Sequence, residues 1–215
     1  LGGAQAWVEY HNENEDLSRW ARQTVLPEIG IEGQKKLLNS HVSIIGMGGL
    51  GCPIAQSLVI AGIGKLKLID NDIVSISNLH RQPLYSFEDV NKKKILAAKS
   101  KLKILNPEVI IETEDIFFDD INGQELLLKT DVIIDATDNI KSRRRIDKIS
   151  KKLKIPTVYG ALFRFEGQVS ILNVNGSPGY SDLFPSSNTN REDSCVNAGV
   201  LSMLPAIIGN IQALE

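Results

Sequence analysis

The residues of this 215-residue chain that can do chemistry fall in an order that suits phosphate handling. The run Gly46-Met47-Gly48-Gly49-Leu50-Gly51 can form a tight turn, because glycines accept positive φ and let backbone amides approach a phosphate at a helix start. A plain turn with close strand-helix packing selects the same glycines, so the run alone does not decide. Asp70 ends the next apolar run, where nucleotide-binding folds hold ribose hydroxyls, and an NAD enzyme is still compatible with both features. The cluster Asn78-Leu79-His80-Arg81-Gln82 then supplies hydrogen-bond donors and a fixed positive charge for which hydride transfer has no obvious need. Lys94 lies at the start of a helical run, and Asp138 sits in Asp135-Ala136-Thr137-Asp138-Asn139. Arginine, lysine and amide donors stabilise charge developing on phosphate oxygens, and a carboxylate at Asp138 can hold a magnesium ion.

Such groups need elements to position them. Residues 42–45 form a short apolar run ending in glycine, and residues 54–60 carry helical spacing behind Pro53, which reads as strand, tight turn, helix. Strands are expected at 65–69, 109–113, 132–134, 157–159 and 168–174, with helices at 92–105 and 141–154. This alternation, with short Ile- and Val-rich runs, predicts an α/β fold: a Rossmann-like, doubly wound and mainly parallel sheet with helices on both faces. Its ligand belongs at the carboxyl ends of the strands, where the motifs fall. Residues 13–39 read as a short helical preamble broken at Pro27 and Gly30. Residues 1–12 are expected to be a disordered extension, 13–215 one domain, 175–195 a long crossover loop, and 199–214 a final helix around Pro205.

The bulk numbers narrow the class. With 42% hydrophobic and 23% charged residues the chain can bury a sizeable core, and a formal net charge of -2 gives no reason to expect DNA or an anionic membrane as partner. No stretch reaches the roughly 18 apolar residues of a spanning helix, and the first ten residues lack the pattern of a signal peptide, so a soluble, cytoplasmic protein is expected. Cys52 and Cys195 are too few for a disulfide framework and suit a reducing compartment.

From Arg19 onward the sequence resembles the adenylyltransferases of molybdopterin and thiamine biosynthesis, which share their fold with the adenylation domains of ubiquitin-activating enzymes. The strings RWARQTVLPEIGIEGQKKLL, GMGGLGCP, AGIGKLKLIDNDIVSISNLHRQ and DATDN occur in order, followed by SCVNAGV. The resemblance implies that Gly46, Gly48, Gly49 and Asn139 line the nucleotide and that Asp70 takes the ribose hydroxyls. It places Asn78, Arg81 and Lys94 around the ATP phosphates, Asp138 on magnesium, and Arg22 on a phosphate of the partner subunit's nucleotide, which requires a homodimer. Asp72 and Gln82 match the pattern too, with indirect roles in ordering the loop and holding Arg81. In that family the C-terminal glycine carboxylate of a small ubiquitin-like sulfur carrier ending in Gly-Gly attacks the α-phosphate of ATP, giving an acyl-adenylate and pyrophosphate.

Other features have plainer readings. Arg143-Arg144-Arg145 and Lys92-Lys93-Lys94 are expected on solvated faces, with Arg143 and Lys94 alone matching family positions. Cys195 stands where thiamine-pathway relatives place a cysteine that can bond to the carrier, and an inert thiol fits it equally; Cys52 reads as a packing residue. His11, His41 and His80 lack paired ligand spacing. Many relatives carry a Cys-x-x-Cys pair where this chain has Gly179 and Asp182, and a second pair is absent from these residues, so no structural zinc is expected and the loop is expected to be less tethered. Three alternatives stay open: adenylation of another carboxylate or dehydration of a tRNA base within the family, an NAD-dependent oxidoreductase, and a non-catalytic scaffold subunit, against which the retained Arg22, Asp70, Arg81, Lys94 and Asp138 argue.

Overall fold

A computed structural model describes residues 17–185 and 199–215. The expected N-terminal extension over 1–12, and Cys195, lie outside the described residues. Six strands form one sheet: β1 (His41–Ile45), β2 (Lys65–Ile69), β3 (Ile110–Glu114), β4 (Val132–Asp135), β5 (Thr157–Phe163) and β6 (Glu166–Leu172), in the order β3-β2-β1-β4-β5-β6. The first five run parallel, and β6 pairs antiparallel to β5 from Thr157↔Leu172 to Phe163↔Glu166. After β1 the chain builds β2 and β3 on one side, then crosses to β4 on the other. A crevice therefore opens beyond the carboxyl ends of β1 and β4, the position at which doubly wound sheets bind ligands.

The helices are α1 (Ala21–Thr24), α2 (Gly30–Asn39), α3 (Gly51–Ala61), α4 (Lys94–Leu105), α5 (Gly123–Leu126), α6 (Ile140–Leu153), α7 (Tyr180–Leu183) and α8 (Met203–Leu214). Helix α3 is apolar nearly all round, as an element sandwiched between β-sheet and further helices must be. It packs with α4 and α8 over one face of the sheet, where Ile44, Ile54, Leu66, Leu68, Ile95 and Leu102 are fully buried. The other face is covered by α5 and α6 through Phe118, Leu127, Ile133, Ile146 and Ile149. Gln212 ties α8 to the sheet by donating from Nε2 to the carbonyls of Asp135 at 3.1 Å and Val158 at 3.3 Å.

Two helices start later than the residue pattern predicts. Lys93 makes a bridge to Ile73, which keeps Lys92 and Lys93 extended, so α4 begins at Lys94. Val200 bridges to Arg164 behind Gly199 at φ 67°, so α8 begins at Met203. The strand expected at 168–174 is β6, which starts two residues earlier, and its antiparallel direction is the departure from the expected pattern: it closes the sheet with a tight hairpin in which Arg164 takes φ 55°.

The helical preamble is bolted to the end of α3. Trp20 Nε1 donates to Ile60 O at 2.9 Å, while Gln23 and the wholly buried Gln34 both donate to Ala61 O at 3.0 Å. Gly62 caps α3 at φ 93°, and a Cβ there would lie 2.5 Å from Gln34 Nε2 and 2.7 Å from the Trp20 ring. Gly62→Ala combines a left-handed penalty of about 1–2 kcal/mol with overpacking of about 1–3 kcal/mol. Thermal unfolding is expected to show a loss of about 2–5 kcal/mol, and an unchanged melting temperature would contradict this anchor.

Candidate active site

The crevice is a cleft of ≈ 720 Å³, within the range that encloses small-molecule ligands. Gly46, Gly48, Gly49, Asp70, Asp72, Asn78, Arg81, Gln82, Lys94, Asp138 and Asn139 all line it. Its floor is the glycine turn between β1 and α3. Gly46 has φ 97°, and a Cβ on it would lie 2.7 Å from Ala136 O; a Cβ on Gly51 would lie 2.0 Å from Gly46 O. These two glycines are demanded by the turn itself. Gly48 has nothing closer than Gln82 Nε2 at 3.7 Å, which leaves its backbone open toward the cleft.

Asp70 holds this turn in shape. Its carboxylate accepts from Met47 N–H and from Asp72 N–H, both at 2.7 Å, which joins the glycine turn to the loop after β2. Burial pushes the Asp70 carboxyl above its ordinary range, and the Lys94 charge with the two amides only partly opposes that. Tyr85 supports the same turn from below, its hydroxyl donating to Met47 O at 2.9 Å.

The cations are arranged around this floor. Lys94 is nearly buried, with a side chain 6% exposed, and its Nζ lies 2.7 Å from Asp72 Oδ2. Its neighbours turn elsewhere: Lys93 reaches Asp115 at 3.0 Å and Lys92 reaches Asp89 at 3.2 Å. Geometry thus separates Lys94 from the run that the residue pattern reads as uniformly solvated. Arg81 Nη1 donates to Ser77 O at 3.0 Å and lies 2.9 Å from His80 Nε2. Gln82 is buried beside Gly48, and its Oε1 has no hydrogen-bond partner.

On the opposite wall Asn139 caps α6, its Oδ1 accepting from Ser142 N–H at 2.8 Å. Asp138 is exposed to the cleft, and among the described residues its one hydrogen-bond contact is from Asn139 Nδ2 at 3.4 Å. A hard, exposed carboxylate in a cleft is what magnesium takes from a protein when phosphates and water complete its shell. Among the described residues no group of three or more His, Cys, Asp and Glu could hold a metal ion without such help. Arg22 is exposed on α1 and does not line the cleft of its own chain.

Two expectations are corrected. Arg143, Arg144 and Arg145 are not a solvated stripe: their guanidinium groups lie 5.3 Å from the Tyr159 ring, 6.0 Å from Tyr180 and 5.6 Å from Phe117. Arg143 is buried and lines the cleft, with Nη2 donating to Thr137 O at 3.0 Å. Nor is the described base of the crossover loop loosely held. Asp182 accepts from Gly179 N–H at 2.8 Å and pairs with Lys151 at 2.8 Å, while Asp147 accepts from Tyr180 N–H at 2.9 Å and Ser181 N–H at 3.0 Å. Two carboxylates, Asp147 and Asp182, thus fasten the described base of the loop to α6.

Residue types alone also passed over Ile116, Phe117 and Phe118, which give the cleft an apolar wall, and Leu162, Val200 and Pro205 at its mouth. An apolar triplet directly after β3 was the available signal for the first three. Cys52 is fully buried, and burial pushes its thiol up to about 12, as a packing residue requires. His41 is buried at the far end of β1, its Nδ1 2.7 Å from Lys129 O. No helix among the described residues is long and apolar enough to cross a membrane.

Known proteins resemble this chain over most of its length. The family profile described as ThiF family matches residues 20–215. A probable molybdopterin-synthase adenylyltransferase of Porphyra purpurea is 43% identical over 203 residues, covering 94% of this chain and 53% of the relative. A sulfur carrier protein adenylyltransferase of Thermus thermophilus is 40% identical over 207 residues, covering 94% of this chain and 76% of the relative. Among solved structures, PaaA superposes with a TM-score of 0.77 at 30% identity, covering 94% of this chain and 64% of that one. The chain thus spans about half the length of the first of these relatives and three quarters of the second.

Replacing Asp70 by alanine leaves the part-buried Met47 amide without its acceptor, at about 1–3 kcal/mol, while the exposed Asp72 amide can turn to water. Thermal unfolding of Asp70→Ala is therefore expected to show a loss of about 1–3 kcal/mol without any ligand present; a neutral outcome would deny Asp70 its hold on the turn. The loop base has its own signature. Burial pushes Asp147 up, but hydrogen bonds from Ser181 and Asn173 and the Lys151 charge outweigh it and hold its carboxyl below the ordinary 3.8. Its contribution is complete above that value and is lost as pH falls through the depressed one. The stability gap between the parent and Asp147→Asn is expected to be constant near neutrality and to close below pH 3.8; a gap independent of pH would contradict the clamp.

Proposed function

We infer the chemistry from one premise: this chain belongs to the ThiF family. We propose that it is an ATP-dependent adenylyltransferase that activates the C-terminal glycine carboxylate of a small ubiquitin-like sulfur carrier ending in Gly-Gly. The observation that carries this reading is one cleft lined together by the open glycine turn, the Asp70 carboxylate, Asn78, Arg81 and Lys94, and the exposed Asp138 carboxylate. It works as a homodimer in a reducing cytoplasm, with Arg22 reaching the partner subunit's nucleotide.

The reaction forms a bond between a carboxylate oxygen and the α-phosphorus and breaks the bond from that phosphorus to the bridging oxygen, so pyrophosphate leaves. No proton moves, because the attacking carboxylate is already ionised. The work is electrostatic and positional: two anions must be held in line while charge builds on phosphate oxygens. Backbone amides at Gly48 and Gly49 face the phosphates. An ionised carboxylate offers about four acceptor sites, so Asp70 can hold its two amides and still take ribose hydroxyls. Ile116, Phe117 and Phe118 offer the base an apolar wall. Asn78, Arg81 and Lys94 take the phosphate oxygens; Lys94 exchanges the exposed Asp72 carboxylate for phosphate, a substitution of one anion for another at an ammonium that is already desolvated. Asp138 would hold a magnesium ion brought with the nucleotide, and the ion would supply positive charge to the phosphates when bound.

Carrier-dependent exchange of labelled pyrophosphate into ATP tests the reading. Arg81→Ala, Lys94→Ala and Asp138→Ala are each expected to lower exchange by about 100-fold or more, the usual scale for losing one preorganised charge-stabilising group. Their melting temperatures serve as the control for folding. Absence of exchange with every Gly-Gly carrier tried would sink the proposal. The dimer has a separate test: Arg22→Ala and Asp138→Ala proteins, each inactive alone, are expected to regain activity when mixed, since one mixed site keeps both residues. No recovery after subunit exchange would place Arg22 outside the site.

A further inference from the structure

Helix α6 carries Arg143, Asp147 and Lys151 at four-residue spacing, which sets them on one face. Its amino-terminal end meets the cleft and its middle meets the base of the crossover loop. At the cleft end, Arg143 Nη2 donates to Thr137 O at 3.0 Å, and Thr137 is held from the other side by Asp135, whose Oδ1 accepts from its N–H at 3.0 Å and its hydroxyl at 2.7 Å. That turn aims the adjacent Asp138 into the cleft. The Arg143 guanidinium in turn lies over Tyr159, whose ring centroid is 5.3 Å from Tyr180 and 6.1 Å from Phe184. Arg144 Nη2 donates to Phe184 O at 2.9 Å.

The loop end of the same face is just as tightly specified. Asp147 receives the amides of Tyr180 and Ser181, and Lys151 lies 3.4 Å from Asp147 and 2.8 Å from Asp182. A Cβ at Gly179 would lie 2.0 Å from Asp147 Oδ1, so only glycine lets the segment seat this deeply. Pulling residues 179–184 off α6 removes the aromatic pair that backs Tyr159, and Tyr159 is what Arg143 stands on.

We propose that Arg143 is a positioning residue for Asp138, and that its position is set by the seating of residues 179–184 on Asp147, so that the loop base and the metal-binding turn are energetically coupled. This rests on the reading of the cleft as a magnesium–ATP site. Packed side chains with two arrangements, seated and unseated, are a physical route for such coupling.

Calorimetric titration of ATP at a series of magnesium concentrations tests it without any turnover. Arg143→Ala is expected to raise the magnesium concentration for half-maximal ATP binding about tenfold or more, the scale found for residues that orient a metal's ligand. ATP binding in EDTA is expected to stay within about twofold. Arg143→Lys keeps the charge but loses the planar fork, so it is expected to fall between, and it reports the same effect if the alanine variant does not fold. Asp147→Asn, which alters no cleft residue, is expected to raise the magnesium requirement several-fold, while Lys152→Ala on the exposed side of α6 does not. Variants at 143 and 147 that lower the melting temperature yet keep the parental magnesium requirement overturn the proposal. A shift at 143 with none at 147 overturns the coupling, and a parent protein that binds no ATP with or without magnesium sinks the functional reading itself.

Discussion

The site depends on one partly buried carboxylate. Asp70 receives the amides of Met47 and Asp72, and so fastens the glycine turn to the loop that carries Asp72, Asn78 and Arg81. Without that double acceptor the floor and one wall of the cleft would be independent loops, each free to satisfy its own backbone. The sheet supplies the rest of the constraint: β1 sits between β2 and β4, so whatever extends from their carboxyl ends must converge. Burying an ionised group is costly unless hydrogen bonds and an opposite charge compensate, and Asp70 has both, though not enough to return its carboxyl to the ordinary range. A ligand that adds donors at this carboxylate, as ribose does, relieves what burial imposes.

The same logic governs the positive groups. The two cations to which the proposed reading gives phosphate are each held by a stand-in: Lys94 by Asp72 and Arg81 by Ser77 O. On that reading such partners keep both donors pre-aimed, so a triphosphate would meet a site whose reorganisation is small. Asp138 differs in kind, since it is exposed and its strongest contact is a long one from Asn139, which suits a residue reserved for a metal.

Much of this was legible in residue order. The apolar runs of β1, β2 and β4 and the glycine turn are local signals, and their placement fell within a residue or so of the observed bounds. β6 was legible as a strand at 168–174, but its start at Glu166 and its antiparallel pairing were not, because its hairpin turns at Arg164 and Phe165 without the Asn-Gly or Gly-rich signature that marks such turns. The arginines of α6 were misjudged for a related reason: their aromatic partners Tyr159, Tyr180 and Phe117 come from distant segments, and no local pattern reports a long-range stack. The anchoring of Gly179 and Asp182 was hidden likewise, since it depends on Asp147 and Lys151 reaching them from another element. Resemblance to relatives identified what those two positions lack, and only the fold reveals what stands in its place.

The central claim is that the glycine turn serves a triphosphate rather than a dinucleotide. Parallel titrations of the protein with magnesium–ATP and with NADH test it most directly. The account predicts saturable ATP binding that Lys94→Ala weakens and no competing NADH binding; tight NADH binding with none for ATP would contradict it.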